Sequence, residues 1–287
     1  MSQPRWHRGY CGANGKCSCF SDRSGTVITE GFGPHLSPPS LAVVNVEVED
    51  DFRRPATGYK IDGGNGLGPQ TVWMENTMEP RTRIEADEEV ASVKSGNGGG
   101  ACYLLASAHW HAYAEVLWVN DLVANPDRTY NLDVIARNFG TSPVMKAYLV
   151  KLANDPFAAP TLFIQRIDGG RVDLVNPPPT LAQLALSQPK CDPLTALEQV
   201  APANPNRSKP LWLRIEVDDR ASPFPEPVIT ATAAWDCPAA GTIDDCLHVC
   251  TLTAIDTGDP SGMFQKTGTT GLFAQHGDYF AAAFRAG

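Results

Sequence analysis

From Leu41 onward the chain is a succession of short apolar runs with a period near two. Such alternation sends successive side chains to opposite faces of a half-buried strand. It predicts strands over Leu41–Val48, Thr71–Asn76, Thr82–Ala86, Cys102–Ser107, Ala112–Asn120, Tyr130–Arg137, Lys146–Leu152, Thr161–Ile167 and Val172–Val175. Further strands are predicted over Leu211–Val217, Val228–Ala234, His248–Thr253, Gly271–Ala274 and Tyr279–Phe284. Most are bounded by Gly, Pro, Asn or Asp, which supply turn geometry, and Asp168-Gly169-Gly170 is a hairpin signal. Only Pro179–Leu186 and Pro193–Val200 combine the length and Ala/Leu content of short helices, so 177–209 is expected to be one long, partly helical insertion. So many strands with so little helix exclude doubly wound α/β folds. The expected fold is all-β: a two-sheet antiparallel sandwich whose inner faces interdigitate about 10 Å apart.

Residues 1–40 break this pattern. They carry Gly, Ser, Pro and three cysteines, with one strand-like run at Thr26–Thr29. The segment from Gly31 to Pro39 reads as an extended linker, because each Pro fixes φ and removes a donor. The expected organisation is an N-terminal cysteine-containing arm and Pro-rich linker, 1–40, followed by one large β domain, 41–287.

Composition narrows the function classes. Hydrophobic residues are 43% and charged residues 19% of the chain, a globular balance. The net charge of −9, with no dense Lys/Arg cluster, argues against nucleic acid as a partner. No run approaches about 20 apolar residues, so no membrane span is expected. The opening segment lacks the apolar core of a secretory signal, which suggests that the protein works where it is made, leaves by another route, such as within a lysis-released particle, or has had a leader removed.

The order of several segments carries a resemblance. Asp50-Asp51-Phe52-Arg53-Arg54 is similar to a D-x-F-x-R opening, and Val134-Ile135-Ala136-Arg137 to an apolar strand ending in Arg. These are followed by Ala147-Tyr148-Leu149-Val150 and Leu162-Phe163-Ile164-Gln165-Arg166. Leu211-Trp212-Leu213-Arg214-Ile215-Glu216-Val217 resembles a W-x-R-L-x-V strand. The close, Gly268 to Phe273 and then Tyr279-Phe280 and Ala283-Phe284, resembles G-x-x-G-L…Y-F-D-x-F, with Ala281 in place of Asp. In this order they resemble the concanavalin A-like lectin/glucanase superfamily, in particular its laminin G-like jelly rolls, which also occur in phage virion proteins. The resemblance implies a jelly-roll sandwich; none of the matched positions is catalytic in that family.

The superfamily's glucanases place two carboxyl groups on one strand face. Here Glu47, Glu49 and Asp51 alternate at the domain's first strand, and Glu216 and Asp218 at the end of another. Both sets suit a solvated face better, so no catalytic residue is assigned and no enzyme is expected. His109-Trp110-His111 could stack on a sugar ring and bond its hydroxyls, although a strand-borne Trp is more often core. His7, Cys11, Cys17 and Cys19 could hold zinc or an iron–sulfur cluster, at a spacing that matches no common motif; a disulfide or free thiols are the plainer reading. Cys237 and Cys246 flank a loop that a disulfide would staple, with zinc shared with His248 and Cys250 as the alternative. Cys102 is expected in the core, and Cys191 could pair with any of the others.

These readings lead to a non-catalytic structural or accessory protein of a tailed-phage virion, either decoration, fibre or tail tip. Its arm would bind other virion proteins, copies would form a homo-oligomer, and a host-surface glycan would be the ligand. The alternative is a secreted glycan-binding lectin or a glycoside hydrolase of the same fold, located outside the cell.

Overall fold

The computed structural model describes residues 10–11, 17–20, 27–30, 48–50, 52, 73–75, 82–85, 90–93, 100–103, 111–123, 130–139, 146–154, 160–168, 178–186, 191, 200–201, 204–218, 226–238, 243–257, 268–276 and 279–287. The chain divides into two compact units, Met1–Val44 and Asn45–Gly287. In the first, β1 (Tyr10–Cys11), β2 (Cys17–Phe20) and β3 (Val27–Glu30) form a three-stranded antiparallel sheet in sequence order. Its register sets Cys11 opposite Cys17 and Cys19 opposite Ile28.

The second unit is a sandwich of two antiparallel sheets, as the alternation predicts and as the jelly-roll resemblance implies. Its early strands are β4 (Val48–Asp50), β5 (Trp73–Glu75), β6 (Thr82–Glu85), β7 (Val90–Val93), β8 (Gly100–Tyr103) and β9 (His111–Asn120). The central ones are β10 (Tyr130–Phe139), β11 (Lys146–Asn154), β12 (Thr161–Asp168), β13 (Thr180–Ala185), β14 (Val200–Ala201) and β15 (Asn204–Ser208). The last are β16 (Leu211–Asp218), β17 (Val228–Trp235), β18 (His248–Ile255), β19 (Thr269–His276) and β20 (Tyr279–Ala286). One sheet has seven strands in the order β13-β12-β11-β10-β19-β8-β5. The other has eight, in the order β18-β17-β16-β9-β20-β7-β6 with β4 also on β20. β14 and β15 form a separate pair. Among the described residues the helical content is one 3-10 turn, Ile243–Asp245. No described helix is long and apolar enough to cross a membrane.

Alternation builds the core. Leu132, Val134 and Ala136 of β10, Tyr148, Val150 and Leu152 of β11, and Leu162 and Ile164 of β12 face inward from the seven-stranded sheet. They meet Val116 and Trp118 of β9, Leu211, Leu213, Ile215 and Val217 of β16, and Ile229 and Ala231 of β17. All of these are buried completely. At about 25 cal/mol per Å² of apolar surface, this layer is the main stabilising term.

Polar groups tie the layers at defined places. Tyr148 and Arg166 stand opposite each other on β11 and β12. The Tyr148 hydroxyl donates to Asp256 Oδ2 at 2.9 Å, and Arg166 Nη1 donates to Asp256 Oδ1 at 2.8 Å. Asp256 follows β18 of the other sheet, so one buried carboxylate joins the two layers. Arg137 has φ 52° within a bulge of β10, and its Nη2 donates to the Val217 carbonyl of β16. Phe52 has φ 58° and is fully buried; Asp50 Oδ1 accepts its N–H at 2.8 Å. That bond offsets part of the roughly 1–2 kcal/mol that a left-handed non-glycine residue costs.

One expectation is corrected. Thr180–Ala185, within the segment expected to be helical, is an edge strand paired with β12. Its Leu181, Ala182 and Leu184 pack against the main core. Leu and Ala suit a helix by intrinsic propensity, but the exposed edge of β12 and apolar burial outweigh that preference. Of Pro193–Val200, only Val200 is described, as the start of β14.

Candidate functional site

The seven-stranded sheet has an unusual outer face. On a sheet with one solvated face, the positions alternating with the core would be polar and wet. Here Ile135, Ala147, Leu149 and Ile167 occupy that side as a second buried cluster. Among them lie three buried polar side chains, Asp133, Lys151 and Gln165. Asp133 on β10 is in register with Lys151 on β11 and with Phe273 on β19; Lys151 is in register with Phe163 on β12. Gln165 stands opposite Leu149 and next to the bulge that faces Thr180.

Asp133 is fully buried, and among the described residues neither carboxylate oxygen has a hydrogen-bond donor. Burial pushes its pKa up from 3.8 to about 7, while the Lys151 charge pulls it down. A carboxyl raised this far is neutral in mild acid. Gln165 Nε2 reaches Thr180 Oγ1 at 3.3 Å and the Pro178 carbonyl at 3.5 Å, but its Oε1 accepts nothing. The face therefore holds unused acceptors on Asp133 and Gln165. Buried polar atoms are paired in the great majority of cases, so two such residues set this face apart. Gln165 lies within a segment that carries the family resemblance, but sequence reasoning missed both residues as a site, because a polar residue in an alternating strand looks solvated. The available signal was the apolar Ile135, Ala147 and Leu149 on the same side.

The opposite sheet has a different polar cluster. Glu115 of β9 accepts from Arg214 Nε at 3.0 Å and from Arg285 Nη1 at 3.4 Å. Arg214 Nη1 also donates to Glu216 at 3.1 Å and lies 3.7 Å from Asp244. Burial works to lower the Arg214 pKa, but Glu115, Glu216 and Asp244 outweigh it and raise it. Arg285 also stacks over the Trp212 ring at 5.1 Å. The turn bearing Asp244 is held by a Cys237–Cys246 disulfide, and its Ile243 is buried with Ala234 and Trp212. The charges here are mutually satisfied, which makes this cluster a structural one.

The sequence-derived candidates are distributed as follows. His111 opens β9 opposite Asp218, on the eight-stranded sheet; His109 and Trp110 lie outside the described residues. Cys11, Cys17 and Cys19 are strand residues of the first unit, and His7 lies outside the described residues. Cys237 bonds Cys246, and Cys250 bonds Cys191, so the zinc alternative at the C-terminal cysteines gives way to two disulfides. Of the carboxylate candidates on the second strand, Glu216 accepts from Arg214, and the side chain of Glu49 lies outside the described residues. Glu47 and Asp51 lie outside the described residues. No group of three or more metal-ligating side chains occurs among the described residues.

Fold and face together define the class: a two-layer antiparallel sandwich with a polar strip on the outer side of its seven-stranded sheet. No protein-family model matches the sequence, and neither does any curated protein. The solved structures it resembles include lectin-type carbohydrate recognition domains. The VIP36 exoplasmic/lumenal domain in its Ca2+/Man-bound form is 8% identical with TM-score 0.47, covering 85% of this chain and 91% of that one. The potassium-bound Emp46p carbohydrate recognition domain is 11% identical with TM-score 0.45, covering 76% and 88%. A legume lectin-like domain from Entamoeba histolytica is 10% identical with TM-score 0.42, covering 75% and 89%. At these identities and TM-scores, none of their ligands transfers to this chain.

Proposed function

We propose that the protein is a non-catalytic, lectin-like glycan-binding module. The observation that carries this reading is that Asp133 Oδ1 and Oδ2 and Gln165 Oε1, acceptors with no partner among the described residues, lie on one sheet face. Sugar hydroxyls are abundant donors, and a hydrogen bond to a charged acceptor contributes about 1.5–3 kcal/mol. The order of concanavalin A-like segments in the sequence supports the same reading. The test is retention of the full chain on immobilised mannose, galactose, glucose, N-acetylglucosamine and N-acetylgalactosamine at neutral pH. Retention on at least one sugar, lost in Asp133→Ala with an unchanged circular dichroism spectrum, is the expected result. Absence of retention on all five, or equal retention by the variant, refutes it.

A finer reading places this module on a tailed-phage virion, with the arm as its anchor to other virion proteins and copies arranged as a homo-oligomer. Its support is the division of the chain into a small unit with its own sheet and the large sandwich. Co-sedimentation with intact particles, lost on deletion of residues 1–40, tests it. Zinc or an iron–sulfur cluster at His7, Cys11, Cys17 and Cys19 is a further proposal, supported by the cross-strand register of Cys11 and Cys17. Metal content below a stoichiometric level in the purified protein would end it.

A further inference from the structure

Asp133 holds a position that a folded chain has reason to avoid. Its carboxyl is fully buried on a strand flanked on both sides, and both oxygens lack a hydrogen-bond partner among the described residues. A neutral carboxyl tolerates this at modest cost, but a carboxylate without partners in an apolar setting does not. Among the described residues, the charged group facing it is Lys151 of β11, directly opposite in register. On β19 its register partner is Phe273, and the register partner of Asn131 is His276. β12, beyond β11, brings Phe163 and Gln165 to this side. On its own strand, Arg137 is turned toward the Val217 carbonyl of the other sheet.

We infer that the proton on Asp133 is a latch for the outer face of the seven-stranded sheet: protonated, the carboxyl stays enclosed; deprotonated, it draws in water or the Lys151 ammonium, and the face opens locally. The sign follows from linkage. The enclosed carboxyl has a raised pKa, whereas an opened one returns to the ordinary carboxylate value. The open form therefore releases its proton first, and opening becomes easier as pH rises from about 4 to about 7, then levels off. One proton allows up to about a tenfold rise in the opening constant per pH unit in that window. The latch concerns the face assigned to glycan above, but it needs no ligand, and its test uses the protein alone.

Hydrogen exchange of the full chain, corrected for intrinsic exchange, reads it. From pH 4 to 7, protection in β10 and β11 is expected to fall up to about tenfold per unit and to lie below that of β16 and β17, which lose protection only as far as global stability falls. In Asp133→Asn the fall disappears. In Lys151→Met, where the ammonium no longer lowers the carboxyl pKa, the level region moves above pH 7. Unchanged protection in the wild type, equal protection of β10/β11 and β16/β17 at every pH, or the same pH profile in wild type and both variants would each overturn the inference. Because the wild-type profile and the Lys151 variant decide it separately, a poorly folding Asp133→Asn would still leave it testable.

Discussion

Loss of the Cys191–Cys250 disulfide is expected to destabilise the sandwich more than loss of Cys237–Cys246. The bonds span 59 and 9 residues respectively. In the chain-entropy description, closing a loop of n residues removes about 2.1 + 1.5R ln n cal/mol/K from the unfolded ensemble. At 25 °C this gives about 4 kcal/mol for the long loop and about 2.5 kcal/mol for the short one. The native positions reinforce the order. Cys250 is a buried residue of β18, the last strand of the eight-stranded sheet, and Cys191 follows β13, the last strand of the other. The long bond thus joins the same edge of both layers, whereas the short one fastens a surface turn. Urea denaturation of Cys191→Ala/Cys250→Ala and Cys237→Ala/Cys246→Ala, with fitted slopes, measures the difference directly. A gap of about 1.5 kcal/mol in favour of the long bond is expected. An equal or larger loss in the short-loop variant would refute the reasoning.

Other outcomes follow from single contacts. Asp256→Ala removes a carboxylate shared by Tyr148 and the largely buried Arg166, so a loss of about 3–5 kcal/mol is expected by thermal or urea unfolding. Tyr148→Phe, which removes one bond and leaves the ion pair, should lose about 1 kcal/mol in the same assay. Asp50→Ala strips the acceptor from the Phe52 amide and should lower stability by about 1–2 kcal/mol, measured by the same unfolding curves. Asp133 acts on global stability through pH. Its folded-state pKa is raised, from 3.8 to about 7, so its stabilising contribution is complete below 3.8 and lost as pH rises through 7. About 3 units at 1.36 kcal/mol each give a loss of up to about 4 kcal/mol, absent in Asp133→Asn, which unfolding midpoints from pH 4 to 8 will measure.

The legible part of the fold is the part where hydrophobic periodicity and burial agree. β16, with Trp212, Arg214 and Glu216 alternating against Leu211, Leu213, Ile215 and Val217, shows its two faces in the sequence. β13 is less legible, because Thr180–Ala185 mixes Leu, Ala and Gln without strict alternation and its strand conformation comes from β12 beside it. β15, Asn204–Ser208, carries a Pro and no apolar residue, so local sequence gives it no strand signal. Val90–Val93 was missed for its brevity. The site was hidden for another reason. Asn131, Asp133 and Lys151 look like the wet side of a sheet, and only the burial of Ile135 and Leu149 beside them shows that this side is enclosed. The cysteines lay between these cases: spacing pointed to Cys237 and Cys246, but no local signal chose Cys250 for Cys191.

The strand order also governs when the molecule can become itself. β19 inserts between β10 and β8, and β20 between β9 and β7, so both sheets keep an interior gap until residues 269–286 have been synthesised. A growing polypeptide emerging from the ribosome would hold Trp118, Leu132 and Val134 ready for partners that do not yet exist. Such late closure favours slow folding and transient exposure of sticky strands. Production of this protein should therefore respond to chaperone supply and growth temperature more than its finished stability would suggest.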